Sequence, residues 1–398
     1  MLLLNIICAL IFLVPLMLAA VFRYRRKQVL SKTVKQAYTP NVTVIVPFKG
    51  EDYNFENTIK SLIHQDYLGK YEVIFVSSDQ SGRSIDLLQA VSKSSQRISY
   101  VRAESANKER GDKINNMLTG IHHSSSDTEV FLFMDSDMVA HKKWITNMVL
   151  PLQIEDCGLS SGTAWVVART KSTWELATRF WDFLAATQVA FPFTSFARGL
   201  SMGIRKDTFI RLNIEKVWNT AFHDNFTLSK AVRKYGLKIY YAPYCVIEEH
   251  FELTSFEWIS WVKRQSVHTK SHYKKLWAFG FFLVTLPRLL GAILFLTVAC
   301  LSIFQSELLT EYISFTLWPL FHFVNALAIV YAVYPDTTYI EMSRGTHLEK
   351  MKLVLASYYS ILLSLGSVWA VFSSKIEWRK IKYKNNVAVG GDHRNENS

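Results

Sequence analysis

The stretch Val130-Phe-Leu-Phe-Met-Asp-Ser-Asp137 decides how the rest of the chain is read. Its apolar run is short and bounded, the pattern of a strand buried in a parallel sheet rather than of a helix. The run stops at two carboxylates one residue apart, Asp135 and Asp137. On a strand leaving its sheet, side chains at i and i+2 point the same way, so both acids can face one ligand. Carboxylates aimed at one point repel unless a cation joins them. A hard dication such as Mg2+ or Mn2+, itself held on phosphate oxygens, takes oxygen ligands of this kind. A strand ending in a polar turn would read the same, so the neighbouring sequence has to separate the two accounts.

The flanking segments alternate in period. Asn41–Val46, Tyr71–Val76 and Ile98–Arg102 read as strands, and Phe55–Gln65 and Ile85–Ser94 as helices. Asp112 is placed to cap a helix beginning at Lys113. Short strands separated by helices of this length predict βαβ units and an α/β fold with a mainly parallel sheet. Ligands of such sheets sit beyond the carboxyl ends of the strands, where Asp79, Asp135 and Asp137 all fall. Further on, 174–197 is aromatic-rich and broken by Pro192, and fits either a core helix or one lying in a membrane interface. Gly199–Arg205 reads as a strand or loop, and Asp224–Tyr235 as a helix closed by Gly236. Leu237–Ala242 reads as a strand ended by Pro243.

The chain has 398 residues, 49% of them hydrophobic, and the apolar residues clump at both ends. A formal charge of +12 suits a solvated surface or a membrane protein with basic residues at its cytoplasmic face. No basic stripe interleaved with aromatics supports a nucleic-acid partner. Cys8, Cys157, Cys245 and Cys300 show no C-x-x-C spacing, so neither a disulfide framework nor a zinc site follows from them. Residues 1–22 are almost wholly apolar and are followed by Arg23-Tyr-Arg-Arg-Lys27. Charge after rather than before the apolar run predicts an uncleaved anchor, with a basic linker at 23–40 and a domain at 41–277 in the cytoplasm. Apolar runs at about 278–304, 312–334 and 353–373 predict C-terminal membrane segments over 278–374. The acidic 305–311 loop suits the outside and the basic tail at 375–398 the inside. Three full spans put that tail outside; two spans plus an interfacial or re-entrant segment put it inside. The last residues, 390–398, read as a disordered end.

Several stretches together resemble a GT-A-fold glycosyltransferase of the family 2 type, closest to the ceramide glucosyltransferase branch and its bacterial relatives. They are Pro47-Phe-Lys-Gly50, His64-Gln-Asp-Tyr67, Tyr71-Glu-Val-Ile-Phe-Val-Ser-Ser-Asp79 and Gly111-Asp-Lys-Ile-Asn-Asn116. Met134-Asp-Ser-Asp137, His223-Asp224, Trp261-Val-Lys-Arg-Gln265 and Leu276-Trp277 continue the series. Their order and spacing over residues 41–277 carry the resemblance, not any single motif. It implies an inverting transferase that moves one hexose, glucose by branch, from a UDP-sugar to a membrane lipid hydroxyl such as that of ceramide or diacylglycerol.

The resemblance also implies roles. Asp79 is similar to an aspartate that contacts the nucleotide base or ribose, although a turn would equally place an aspartate there. Lys113 and Asn116 would meet the diphosphate, where a helix N-terminus also attracts an anion; a solvated capping turn is the plainer account. Asp135 and Asp137 would hold Mn2+ or Mg2+ on the diphosphate. Asp224 corresponds to the general base, with plain N-capping as the structural alternative. Many relatives carry an acidic residue before that aspartate, where this chain has His223. The branch's Arg-Trp element is also lost, since alignment on Trp261 gives Glu257-Trp-Ile-Ser-Trp261. Trp261, Arg264 and Gln265 are then the implied contacts to the diphosphate or acceptor. Glu248-Glu249-His250 offers a further metal ligand, with His250 more simply a loop histidine. A processive polysaccharide synthase and a non-catalytic binding protein on the same core are the alternatives. The first would need more spans and the missing element; the second sits poorly with the retained acids.

Overall fold

The computed structural model describes residues 2–33, 38–52, 54–104, 110–168, 172–191, 195–251, 255–340, 346–373, 375–378, 381–384 and 387–390. An eight-stranded sheet contains β1 (Val42–Pro47), β2 (Tyr71–Ser77), β3 (Ile98–Arg102), β4 (Val130–Met134), β5 (Met138–Val139), β6 (Cys157–Ala168), β7 (Ser201–Arg205) and β8 (Lys238–Phe251). The strand order is β3-β2-β1-β4-β7-β6-β8-β5. β1 lies parallel to β2 and β4, β2 to β3, and β6 to β8. β7 runs antiparallel to β4 and β6, and β5 antiparallel to β8. Every residue of β1 and β4 is buried, which is why both read as unbroken apolar runs.

The helices Phe55–Ile63, Arg83–Ser94 and Asp224–Lys234 form where the periodicity placed them. Gly236 closes the last of these at φ 76°, with Leu237 N–H donating to Val232 O at 3.3 Å. Two expectations need correction. Asp112 opens its helix (Asp112–His122) rather than capping it; Gly111 takes the cap position and Asp112 pairs with Lys49 at 2.7 Å. Pro243 does not end its strand, because β8 continues to Phe251. The pairing of β6 with β8 shifts register between Ser161 and Thr163, and Tyr244 adopts φ 64°. This bulge accommodates a residue with no N–H to give to the ladder.

Among the described residues, four helices are long and apolar enough to cross a membrane: Leu2–Thr33, Lys274–Leu301, Trp318–Thr337 and His347–Val371. The first continues through Arg23–Lys27, so the expected basic linker is helical as far as Thr33. Arg26 is held there by Asp336 at 2.8 Å. The aromatic 174–197 stretch contributes the helix Thr173–Ala190, while Pro192 lies outside the described residues. That helix belongs to the interior: Phe180, Phe183, Ala186 and Val189 share one apolar cluster with Leu18, Phe22, Ile329 and Val330. The same cluster holds Trp165 and Val246 of the sheet, so the candidate membrane helices and the sheet have a common core. The basic tail forms an antiparallel three-stranded sheet of Lys375–Trp378, Ile381–Lys384 and Val387–Gly390. The disordered end expected beyond Gly390 lies outside the described residues.

Candidate active site

Asp135, Asp137, Lys113, Asn116, Asp224, Trp261, Arg264 and Gln265, predicted from distant parts of the sequence, line one cavity of about 480 Å³. Asp79 does not join them. It lines a neighbouring cavity of about 390 Å³ with Gln80 and Ser84, and the two cavities share Phe48 and Lys49. Gly50 N–H donates to Asp79 Oδ2 at 2.6 Å, so the loop after β1 and the end of β2 are fastened together.

Lys113 organises the larger cavity. Its Nζ stands 2.7 Å from Asp135 Oδ1 and 3.0 Å from Asp224 Oδ2. Burial disfavours a charged amine, yet the two carboxylates outweigh it and keep Lys113 protonated. Burial would also raise Asp224, but Lys113 holds that carboxyl below the usual carboxylate range. Asp135 moves the other way, because burial and the charge of Asp224 together exceed the pull of Lys113. Asp224 is the first residue of its helix, with His223 at the cap position, so plain N-capping by its side chain is not what places it there. Gly199 makes the approach possible: a Cβ at that position would lie 2.8 Å from Asp224 Oδ2 and 3.2 Å from Lys113 Nζ. Asn116 is buried and donates to Phe48 O at 3.3 Å, which ties its helix to the end of β1.

Two charged residues beside the carboxylate pair, Asp182 and Arg198, carry no expectation from the sequence, and a third, Glu249, is expected only as one member of the Glu248-Glu249-His250 triplet. Asp182 and Arg198 pair at 2.7 Å, and Arg198 also donates to Thr163 Oγ1 at 2.6 Å. Glu249 is brought to Asp137 by the long β8, since Met138 pairs with Glu249 across β5. Burial pushes the Glu249 carboxyl well above its ordinary range, with Asp182 and Asp137 adding to the effect. Its Oε2 is buried with no hydrogen-bond partner among the described residues. His250, expected in a loop, lies instead within β8 and turns aside to Glu248 at 3.1 Å. The only sequence signal for Glu249 was its place in Glu248-Glu249-His250, and choosing within that triplet needs the register of β8.

Asp135, Asp137 and Glu249 offer carboxylate oxygens, the donor set a hard dication requires, and the orphaned Glu249 oxygen fits such a site. Away from them the cavity turns apolar, lined by Trp181, Leu184, Phe196, Trp277 and Phe281. Leu276 to Thr285 belong to the Lys274–Leu301 candidate span, which is π-helical over Phe281–Thr285 where it meets the cavity. Such irregular turns occur often at functional sites.

A parallel-sheet core with its acids gathered at the strand ends, joined to helices suited to a membrane, defines the class as a GT-A glycosyltransferase. The chain belongs to glycosyl transferase family 21, whose family model matches residues 7–390. The resemblance drawn from its motifs is thereby borne out at the level of family. An N-acetylglucosaminyltransferase of Bradyrhizobium elkanii is 32% identical over 140 residues, 34% of this chain and 71% of that relative. Among solved structures, a mannosyltransferase of Pyrobaculum calidifontis in complex with GDP-Man and Mn2+ aligns over 92% of this chain and 98% of its own. Its identity is 15% and its TM-score 0.47.

Proposed function

We propose that this protein transfers a single hexose, glucose, from UDP-glucose to a hydroxyl of a membrane lipid such as ceramide or diacylglycerol, with inversion. One observation carries the lipid acceptor: a single cavity has the Asp135, Asp137 and Asp224 carboxylates on one wall and a candidate membrane span on another. An acceptor that stays in the bilayer can enter such a cavity from the lipid side, and a water-soluble one has no use for that wall.

In this reading Asp224, ionised through Lys113, takes the proton of the attacking hydroxyl on its carboxylate. The acceptor oxygen bonds to the anomeric carbon as the bond from that carbon to the diphosphate breaks, and UDP leaves with the electron pair. Asp135, Asp137 and Glu249 would hold Mn2+ or Mg2+, which offsets the charge that gathers on the diphosphate. Lys113 and Asn116 orient the diphosphate. Asp79 in the adjoining cavity takes the base or ribose, and Trp261, Arg264 and Gln265 meet the acceptor side. The test is a transfer assay on detergent-purified protein with labelled UDP-glucose, a lipid extract and Mn2+. One glycolipid product, absent when chelator is added, is expected. Label found only in high-mass polymer would favour a processive synthase, and neither product nor released UDP would sink the reading.

We also infer that three helices cross the membrane and that His347–Val371 lies against its cytoplasmic face. Asn5 meets Glu311 O at 2.8 Å and Ser314 Oγ at 2.7 Å, while Arg26 and Tyr244 meet Asp336 at the opposite end of the same bundle. One end of His347–Val371 meets a residue beside Asp336 and the other meets the helix that lines the cavity, while Tyr358 OH near its middle donates to Pro319 O at 2.9 Å. Glu349 accepts from Tyr334 OH at 2.9 Å, and Tyr334 packs on Trp165. At the other end Lys270, on the Ser255–His272 helix, donates to Val371 O at 2.6 Å. A crossing helix would have its ends on opposite sides. Gly366 lets the two helices touch, since a Cβ there would lie 2.4 Å from Ile259 O. The outer face exposes Leu355, Tyr359, Leu362, Leu365, Trp369 and Phe372 at helical spacing, as a helix lying in an interface does. This leaves the basic tail on the catalytic side, in accord with the positive-inside rule. In a cysteine-free background and sealed vesicles with the cytoplasmic face outward, an impermeant maleimide should label Ser373→Cys and spare Gln305→Cys. Labelling of Ser373→Cys only after permeabilisation would overturn this topology.

A further inference from the structure

Three histidines meet on the acceptor side of the cavity. His223 precedes Asp224 at the helix cap, and His268 and His272 stand four residues apart on the Ser255–His272 helix, hence on one face. His268 Nδ1 and His223 Nε2 are 3.2 Å apart. The His223 ring centroid lies 4.5 Å from that of His268 and 4.0 Å from that of His272. One nitrogen from each ring falls within 4.8 Å of the other two. Phe226 stacks almost flat on His272, with 9° between the planes.

We propose that His223, His268 and His272 form a second metal site, distinct from the carboxylate site, for a borderline divalent cation of the Zn2+ class. Tetrahedral zinc with nitrogen ligands at about 2.0–2.1 Å sets its ligands about 3.3 Å from one another. The closest pair already has that spacing, and the third ring closes by side-chain rotation. On binding, the direct contact between His223 and His268 is exchanged for two coordinate bonds. The two sites sort ions by donor chemistry: imidazole nitrogen selects zinc-like ions, and the carboxylates at Asp135, Asp137 and Glu249 select Mg2+ or Mn2+. Three protein ligands leave a fourth position open. His223 and His268 line the same cavity as Asp224, so that position faces the space assigned to the acceptor hydroxyl. The site would also account for a histidine at 223, where many resembling enzymes carry an acid.

The inference does not depend on the lipid or the sugar, and its test reads the metal directly. Full-length protein, purified in detergent and stripped with chelator, is titrated with Co2+ and then Zn2+. The intact protein should take up one equivalent of cobalt with the intense visible bands of tetrahedral coordination, and Zn2+ should abolish them. Asp137→Ala should retain that spectrum, while His268→Ala and His272→Ala should each lose it. Absence of the bands in the unaltered protein would overturn the proposal whatever the variants do, and would leave the three rings as a packing cluster. Bands that persist in both histidine variants would overturn it as well.

Discussion

Asp224→Asn is expected to slow sugar transfer by about a hundredfold to ten-thousandfold while the dissociation constant for UDP-glucose stays within about twofold. The asparagine keeps the shape of the side chain and removes only its ability to accept a proton. The helix start should survive, because Asp224 does not cap its helix and its backbone oxygen still accepts from Trp218 Nε1 at 3.3 Å. Lys113 would keep its partner Asp135 at 2.7 Å, so no cation is left isolated. The expected signature is a fall in kcat with donor binding and melting temperature preserved. Binding is read by calorimetry and turnover by product formation. Unaltered turnover would remove Asp224 as the base. A parallel collapse of donor binding and melting temperature would make it a structural residue instead.

The second large effect is expected at the carboxylate edge. Asp137→Ala should weaken Mn2+ binding by about a hundredfold or more, and with it metal-dependent binding of UDP-glucose. Asp135, Asp137 and Glu249 crowd one wall of the cavity, and Lys113 is bound to the first of them. Burial, with the charges of Asp182 and Asp137 beside it, holds the Glu249 carboxyl well above its ordinary range. Loss of Asp137 removes a ligand and relieves that repulsion at once. The protein should therefore remain folded, and donor affinity is what falls. Manganese titration followed by paramagnetic resonance, with UDP-glucose binding measured with and without chelator, decides the matter. Equal donor affinity in both proteins, indifferent to chelator, would mean that this edge holds no metal.

Some of this was legible from local sequence for a physical reason. A strand buried on both faces must be apolar throughout, so β1, β2 and β4 could be read within a residue or so of their observed limits. The motif residues from Asp79 to Gln265 stand out individually in the sequence, and the structure gathers all but Asp79 around one cavity. Local pattern misled where a residue's usual meaning was overridden by its neighbours. Pro243 ordinarily stops a strand, but a bulge against β6 absorbs it. β6 itself, Cys157-Gly-Leu-Ser-Ser-Gly-Thr-Ala-Trp-Val-Val-Ala168, carries small and polar residues that mask its burial in the sheet.

By itself, then, the sequence determined the α/β core, the carboxylate pair at the end of β4, the family, and the apolar segments suited to a membrane. Only the tertiary structure decided which of several adjacent polar residues reaches the site. Glu249 rather than His250 faces Asp137, because alternation along β8 sends neighbours to opposite sides and the bulge sets the phase. It alone brought His268 and His272 to His223, across a separation in sequence that no local pattern bridges. For His347–Val371, apolar enough to span, it brought Glu349 to Tyr334 at one end and Val371 to Lys270 at the other, the contacts on which the proposed interfacial placement rests. Hydropathy measures what a helix can bury and not what it packs against, so that distinction is set by contacts far apart in the chain.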